Sequence, residues 1–368
     1  MHVLGIPSRA MEFLGSDYNN QSVLFDEDAD IVVPIIVLVV QILGIVGNTS
    51  VILIILGFRD MRNIPNLQIL SMAIGDFVFL VMNVPDAVAF NFLHTWPFSD
   101  VYCRITLSSI YISQGVSVLT LSALSADRYY AIARPMARRK INVANYTLAV
   151  VVAIWVMSFL CGIPAFFMAD TNGFCTLPYQ SYNYKVYLVL QFVGLYVIPL
   201  ALITMFYSLT AHTLIRGVKT IGQKVRDGNG RRDPQSQARR RLAIIVLVAV
   251  VCFAVCWGPY HVYDIWAEFE TDISVFLTPG MTFYLNIKYL LPPLSASLNP
   301  IVLYVMSSNY RRHFKRMFLS WCPCCRDSKQ PLTHTWTLLT AFKTMPTSRR
   351  SSAEFQLKHS SSTLVSHS

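Results

Sequence analysis

Charge is scarce in this sequence: 14% of its 368 residues are Asp, Glu, Lys or Arg, 54% are hydrophobic, and the mean hydropathy is +0.46. A soluble domain carries roughly 25% charged residues, so an ordinary soluble globular protein is excluded. Residues 1–30 lack a basic stretch leading into an apolar run; they hold Glu12, Asp17, Asp26, Glu27, Asp28 and Asp30 against the single base Arg9, and no cleavable signal peptide is expected. No glycine-rich phosphate loop, nucleophile and base pair, or cluster of metal ligands stands out, which argues against an enzyme and leaves no catalytic residue to name. The inverted repeats and glycine-interrupted half-helices frequent in transporters are also missing, which counts against a transporter or channel. The net charge of +10 would suit nucleic acid if the bases were spread over one soluble face. They are segregated in another way.

Seven apolar segments are present, at about 31–57, 66–92, 101–133, 147–169, 185–213, 241–267 and 275–306, each long enough to cross a bilayer. Bases gather in alternate connections. Arg59 and Arg62 follow the first span, Arg134, Arg138, Arg139 and Lys140 the third, and Arg311, Arg312, Lys315 and Arg316 the seventh; nine bases from Arg216 to Arg241 lie between the fifth and sixth. The other connections carry Asp100, Asp170, Glu268, Glu270 and Asp272. The positive-inside rule then puts the N-terminus outside and the C-terminus inside a multi-pass membrane chain, and a nucleic-acid role is not expected. The expected fold is an all-α membrane protein, a seven-transmembrane helix bundle over residues 31–320, between an extracellular tail (1–30) and a cytoplasmic tail (321–368). After Tyr310, residues Phe314, Met317 and Phe318 share one face among Arg311, Arg312, Lys315 and Arg316, which predicts a short interfacial helix after the seventh span. The turn at 226–232 is polar, and its flanking bases are expected to extend the fifth and sixth helices. Asn20-Gln21-Ser22 is a glycosylation acceptor in the outer tail. Of eight cysteines, Cys103 and Cys175 fall on the outer side, where oxidising surroundings favour their pairing. Cys322, Cys324 and Cys325 follow the interfacial helix and are candidates for palmitoylation.

The third span ends in Ser125-Ala126-Asp127-Arg128-Tyr129-Tyr130. A helix from Cys103 to Arg128 is about 38 Å long, against a hydrocarbon core of about 30 Å, so this charged cluster sits at the inner mouth. Such charges face protein or water rather than lipid. Asp127-Arg128-Tyr129 resembles the third-helix signature of rhodopsin-like G-protein-coupled receptors. The other spans carry matching landmarks: Asn48, Asp76, Trp155, Pro199 with Tyr207, Phe253 with Trp257 and Pro259, and Asn299-Pro300. The resemblance implies ligand-driven activation of a heterotrimeric G protein, with Asp127, Arg128, Tyr129, Tyr207, Phe253, Trp257, Pro259, Asn299, Pro300 and Tyr304 as coupling and switch residues. It also implies an allosteric sodium ion, with no other cofactor, held by Asp76 and Ser117 beside Asn299 and Ser295. The Ser/Thr-rich tail would meet arrestin and receptor kinases.

The seventh helix departs from the usual pattern, since Asn299-Pro300-Ile301-Val302-Leu303-Tyr304 puts the tyrosine one residue late. That ending, with Met61-Arg62-Asn63-Ile64-Pro65 and Trp257-Gly258-Pro259-Tyr260-His261-Val262, is similar to bombesin-type peptide receptors and their CCHamide relatives. An extracellular peptide ligand is therefore expected. An amine receptor would hold an acid where Ile110 and Tyr111 stand, and an opsin would hold a lysine at Pro293. Helical spacing puts Asp86, Tyr111, Tyr260, His261, Asp264, Lys288 and Tyr289 in the outer half of the bundle as the expected ligand pocket, the two acids favouring a positively charged ligand.

Overall fold

The computed structural model describes residues 27–93, 96–133, 143–169, 175–178, 181–224, 234–270, 275 and 278–321. Asn20, Cys322, Cys324, Cys325 and the 226–232 turn lie outside them, as do most of the two tails. The described residues form α1 (Glu27–Gly57), α2 (Ile64–Val88), α3 (Asp100–Ala133), α4 (Val143–Met168), α5 (Tyr182–Phe192 and Ile198–Lys224, joined by a π-helical turn at Val193–Val197), α6 (Pro234–Phe269), α7 (Pro279–Met306) and α8 (Ser308–Trp321). Seven of them are long and apolar enough to cross a membrane. The seventh begins at Pro279 rather than near 275. Proline lacks an N–H and is tolerated in the first turn, where that donor has no helical partner. α2 starts in a similar way, with Pro65 in its first turn and the Asn63 side chain accepting the Asn66 N–H at 3.1 Å.

The bundle is built around α3, which packs on α2, α4, α5 and α6, while α7 closes the ring against α1, α2 and α6. Two thirds of its most apolar stretch is buried (67%), against 22% for α4 and 28% for α1. The helices come close where side chains are small. A Cβ on Gly47 would lie 2.7 Å from Pro300 of α7, and one on Gly115 2.8 Å from the Ser158 hydroxyl of α4. The apolar surface is turned outward, with Leu43, Leu160 and Val255 each more than half exposed (59%, 56% and 64%), as lipid contact requires. Polar residues are turned inward instead: Asn48, Asp76, Gln114, Thr120, Arg128 and Lys288 are all buried.

Helix α8 is amphipathic and lies against the ends of α1 and α7. Its apolar side places Tyr310, Phe314 and Met317 on the core. A buried His313 holds Asp60, in the turn after α1, through Nε2 at 2.9 Å and packs on the Phe58 ring at 4.4 Å. At the opposite end of the bundle, Cys103 at the head of α3 is bonded to Cys175 in the segment before α5. The two ends are called below the α8 end and the disulfide end.

Candidate functional site

Midway through the bundle, the Asp76 carboxylate is 1% exposed and holds α2, α3 and α7 together. Its Oδ1 accepts the hydroxyls of Ser117 at 2.9 Å and Ser113 at 3.2 Å; its Oδ2 accepts the Asn299 amide at 2.7 Å. No cation pairs with it among the described residues. Three donors from two neighbouring helices offset part of the cost of burying the charge. Ser113 was not anticipated, although its place one helical turn from Ser117 on the same face is legible. Ser295 is buried one turn before Asn299 and is not among the partners of Asp76. Asn48 bonds the carbonyls of Gly44 and Ala296 through its amide nitrogen, and its buried oxygen has no donor among the described residues. A carboxylate with two hydroxyl oxygens at one of its own oxygens is a donor set that suits a small hard cation.

Toward the disulfide end, a column of rings rises along α6. Phe253 lies 6.0 Å from Trp257, which meets Tyr260 edge-on at 5.2 Å and His261 at 6.0 Å. Tyr196 of α5 stacks on Phe253 at 6.4 Å and reaches His261 at 5.4 Å. Its hydroxyl donates to the Ala254 carbonyl at 3.0 Å, fitting against Gly258, whose missing side chain makes the room. Gln114 of α3 meets His261 at 2.6 Å, directly linking α3 to α6 above Trp257. Pro259 supplies no donor to the Val255 carbonyl one turn back, so α6 is weakened beside this column. The Tyr284 hydroxyl of α7 instead ties the Pro259 carbonyl across the gap at 2.8 Å.

Of the expected pocket, the structure brings Asp264 and Lys288 directly together. Lys288 pairs with the Asp264 carboxylate between α7 and α6, and both side chains are 2% exposed. The ammonium also lies over three tyrosine rings, 5.0 Å from Tyr260, 4.7 Å from Tyr263 and 5.2 Å from Tyr289. Asp264 thus has its counter-charge within the chain, which one-dimensional spacing does not reveal: α6 and α7 run in opposite directions and meet at this level. Tyr263 completes the cage and was not anticipated. Asp86 differs. It is half-buried, its side chain has no hydrogen bond or ion pair among the described residues, and it has the Tyr102 and Tyr289 hydroxyls as electrostatic neighbours. Tyr111 is buried edge-on to Tyr187 at 5.2 Å, in an apolar cluster with Ala165, Leu177 and Tyr184.

At the α8 end, Arg128 is 4% exposed and pairs with its neighbour Asp127. The Tyr129 ring faces α5 at Phe206, 5.9 Å away. The Tyr207 hydroxyl donates to the Ala243 carbonyl of α6 at 2.7 Å, joining α5 to α6. Tyr304 is directed away from these groups: it is 38% exposed and packs edge-on to Phe314 of α8 at 5.1 Å, while Leu303 takes the buried position. The late tyrosine therefore braces α8. One residue turns a helix by about 100°, enough to move a side chain from the core to the rim.

A family model described as "7 transmembrane receptor (rhodopsin family)" matches residues 47–303. The chain is 33% identical over 304 residues to the neuropeptide CCHamide-1 receptor of Drosophila melanogaster, covering 77% of this chain and 60% of that receptor's length. It is 30% identical over 300 residues to bombesin receptor subtype-3 of Ovis aries, covering 78% and 73% of the two chains. It is also 31% identical over 322 residues to the [Phe13]-bombesin receptor of Bombina orientalis, covering 82% and 80%.

Proposed function

Because the chain belongs to the rhodopsin family of seven-transmembrane receptors, we propose that it is a plasma-membrane receptor for an extracellular peptide that activates a cytosolic heterotrimeric G protein. The observation that carries this reading is the route through α6: a buried charged pair at the disulfide end, a proline-weakened ring column, and a buried, locally held arginine at the α8 end. The names of the relatives support a peptide as ligand, and bombesin-like and CCHamide-like peptides are the first candidates. Charge asymmetry supports a disulfide end and an N-terminus on the outside.

Peptide contacts near Tyr260, His261 and Tyr289 shift the ring column around Trp257. α6 pivots beside Pro259, and its inner end leaves α5 at the Tyr207–Ala243 contact. Arg128 is then released from Asp127 and presented to the G protein. The partially open carboxylate of Asp86 is the acid available to a cationic group on the peptide, while Asp264 stays committed to Lys288. Asp76, Ser117, Ser113 and Asn299 would hold a sodium ion in the resting state. That ion supplies positive charge to a buried carboxylate and favours the state in which these helices remain together. The tail beyond α8 would carry palmitate at Cys322, Cys324 and Cys325 and engage kinases and arrestin, and Asn20 would be glycosylated.

The test is a panel of amidated neuropeptides, bombesin-like and CCHamide-like ones included, applied to cells expressing the chain, with calcium release and agonist-driven nucleotide exchange as readouts. Exchange driven by a peptide is expected. Exchange driven solely by a non-peptide ligand would overturn the peptide assignment, and solute uptake without any exchange would overturn the receptor reading.

A further inference from the structure

Outside the bundle, on the membrane-facing side of α2, α3 and α4, runs a groove of about 300 Å³. Val78, Ile105, Ile163 and Phe166 line its sides, with Gly75 and Ser113 at the back. It lies wholly within the membrane spans and has almost no polar surface, so its occupant there is apolar. Beside the Phe166 end of the groove stands a cation. At the disulfide end Arg104 straddles α3 and α4, donating from one guanidinium nitrogen to the carbonyls of Phe166 at 2.9 Å and Phe167 at 3.4 Å. Ser108, which also lines the groove, bonds the Arg104 carbonyl at 2.6 Å. No carboxylate pairs with Arg104 among the described residues, and its remaining guanidinium donors make no hydrogen bond there.

An apolar trough within the hydrocarbon region, with a guanidinium that has no carboxylate partner among the described residues standing beside its Phe166 end, has the charge pattern of a phospholipid. We propose that this groove is a specific phospholipid site in the leaflet on the disulfide side, with one acyl chain along Val78, Ile105 and Ile163 and the phosphate on Arg104. A guanidinium matches a phosphate through paired N–H donors, which a sterol hydroxyl cannot use to the same extent. The acyl chain runs directly behind Ser113, whose hydroxyl holds Asp76, so the site adjoins the polar core from the lipid side.

The experiment uses the full chain in phosphatidylcholine vesicles doped with a phosphatidylcholine carrying a photoreactive group on one acyl chain, with cross-links mapped by peptide mass spectrometry. Labelling is expected to concentrate at Val78, Ile105 and Ile163 over Ile42, Leu43 and Val46 of α1, which are at least as exposed to lipid. Arg104→Gln removes the cation and keeps a donor for the α4 carbonyls, and should lower groove labelling about fivefold without changing α1 labelling. Arg104→Lys should retain most of it. Val78→Trp, made on an exposed wall residue, should block the groove even if Arg104→Gln fails to fold. Labelling no greater than on α1, labelling indifferent to both Arg104→Gln and Val78→Trp, or loss of labelling on adding sterol at constant phospholipid would each overturn the assignment.

Discussion

Removing one member of the Asp264–Lys288 pair leaves the other as a buried charge, and the two losses are unequal. In Asp264→Leu the ammonium stays within 4.7–5.2 Å of three tyrosine centroids, whose faces are electron-rich. Each such contact is worth about 0.5–2 kcal/mol, so the stranded cation is partly compensated. In Lys288→Met the carboxylate loses its counter-charge and keeps one neutral donor, the Tyr260 hydroxyl, against the three ring contacts that remain to the cation in the other variant. Breaking a buried pair costs about 3–5 kcal/mol; Asp264→Leu should fall near the lower limit and Lys288→Met near the upper. The double variant exchanges two desolvated charges for two apolar side chains and should lie within about 1 kcal/mol of the original protein. The assay is equilibrium denaturation of the purified chain in mixed micelles, run as a double-mutant cycle. These costs imply a coupling of about 7 kcal/mol or more, and that coupling, together with the stated asymmetry, is expected. Costs that add to within about 0.5 kcal/mol would refute both the pairing and the cage.

Arg128→Ala should preserve surface expression and abolish agonist-driven nucleotide exchange, measured with purified heterotrimer; normal exchange would remove Arg128 from the coupling role. Replacing Cys103 or Cys175 by Ser opens a link between residues 72 apart and should lower stability by about 4 kcal/mol on the chain-entropy model, seen as reduced surface expression or a lower unfolding midpoint. Agonist affinity should fall when sodium replaces a bulky organic cation at fixed ionic strength, and Asp76→Asn should flatten that response; an unchanged sodium dependence in the variant would place the ion elsewhere. Asp86→Asn should weaken the potency of a cationic peptide by about 100-fold at matched expression, and a change under threefold would separate Asp86 from the ligand.

Length, hydropathy and the distribution of bases are properties of the chain in one dimension, and they were sufficient for the seven spans and the short helix after them. A membrane imposes a fixed thickness and forbids unpaired backbone in lipid, so an apolar stretch of adequate length has little choice but to be a helix. Depth was legible for the same reason, because rise per residue is constant and puts Trp257 one turn from Phe253, while the grouping of Asp76 with Ser117 and Asn299 was what the family resemblance implied. Cys103 and Cys175 could be matched because few cysteines share one side of the membrane. What depth does not contain is the rotation of each helix and the identity of the side chain facing it. Lys288 and Asp264 read as two separate pocket residues until α6 and α7 are set side by side, and the three rings that cage the ammonium come from both helices. Ser113 joins Asp76 because α2 and α3 meet there, Tyr304 turns to α8 because one residue rotates it off the core, and Arg104 reaches the Phe166 carbonyl beside a groove that exists between three helices and on none of them alone. Those are contacts between residues far apart in the chain, decided by how whole helices pack, and packing is a property of the assembled bundle.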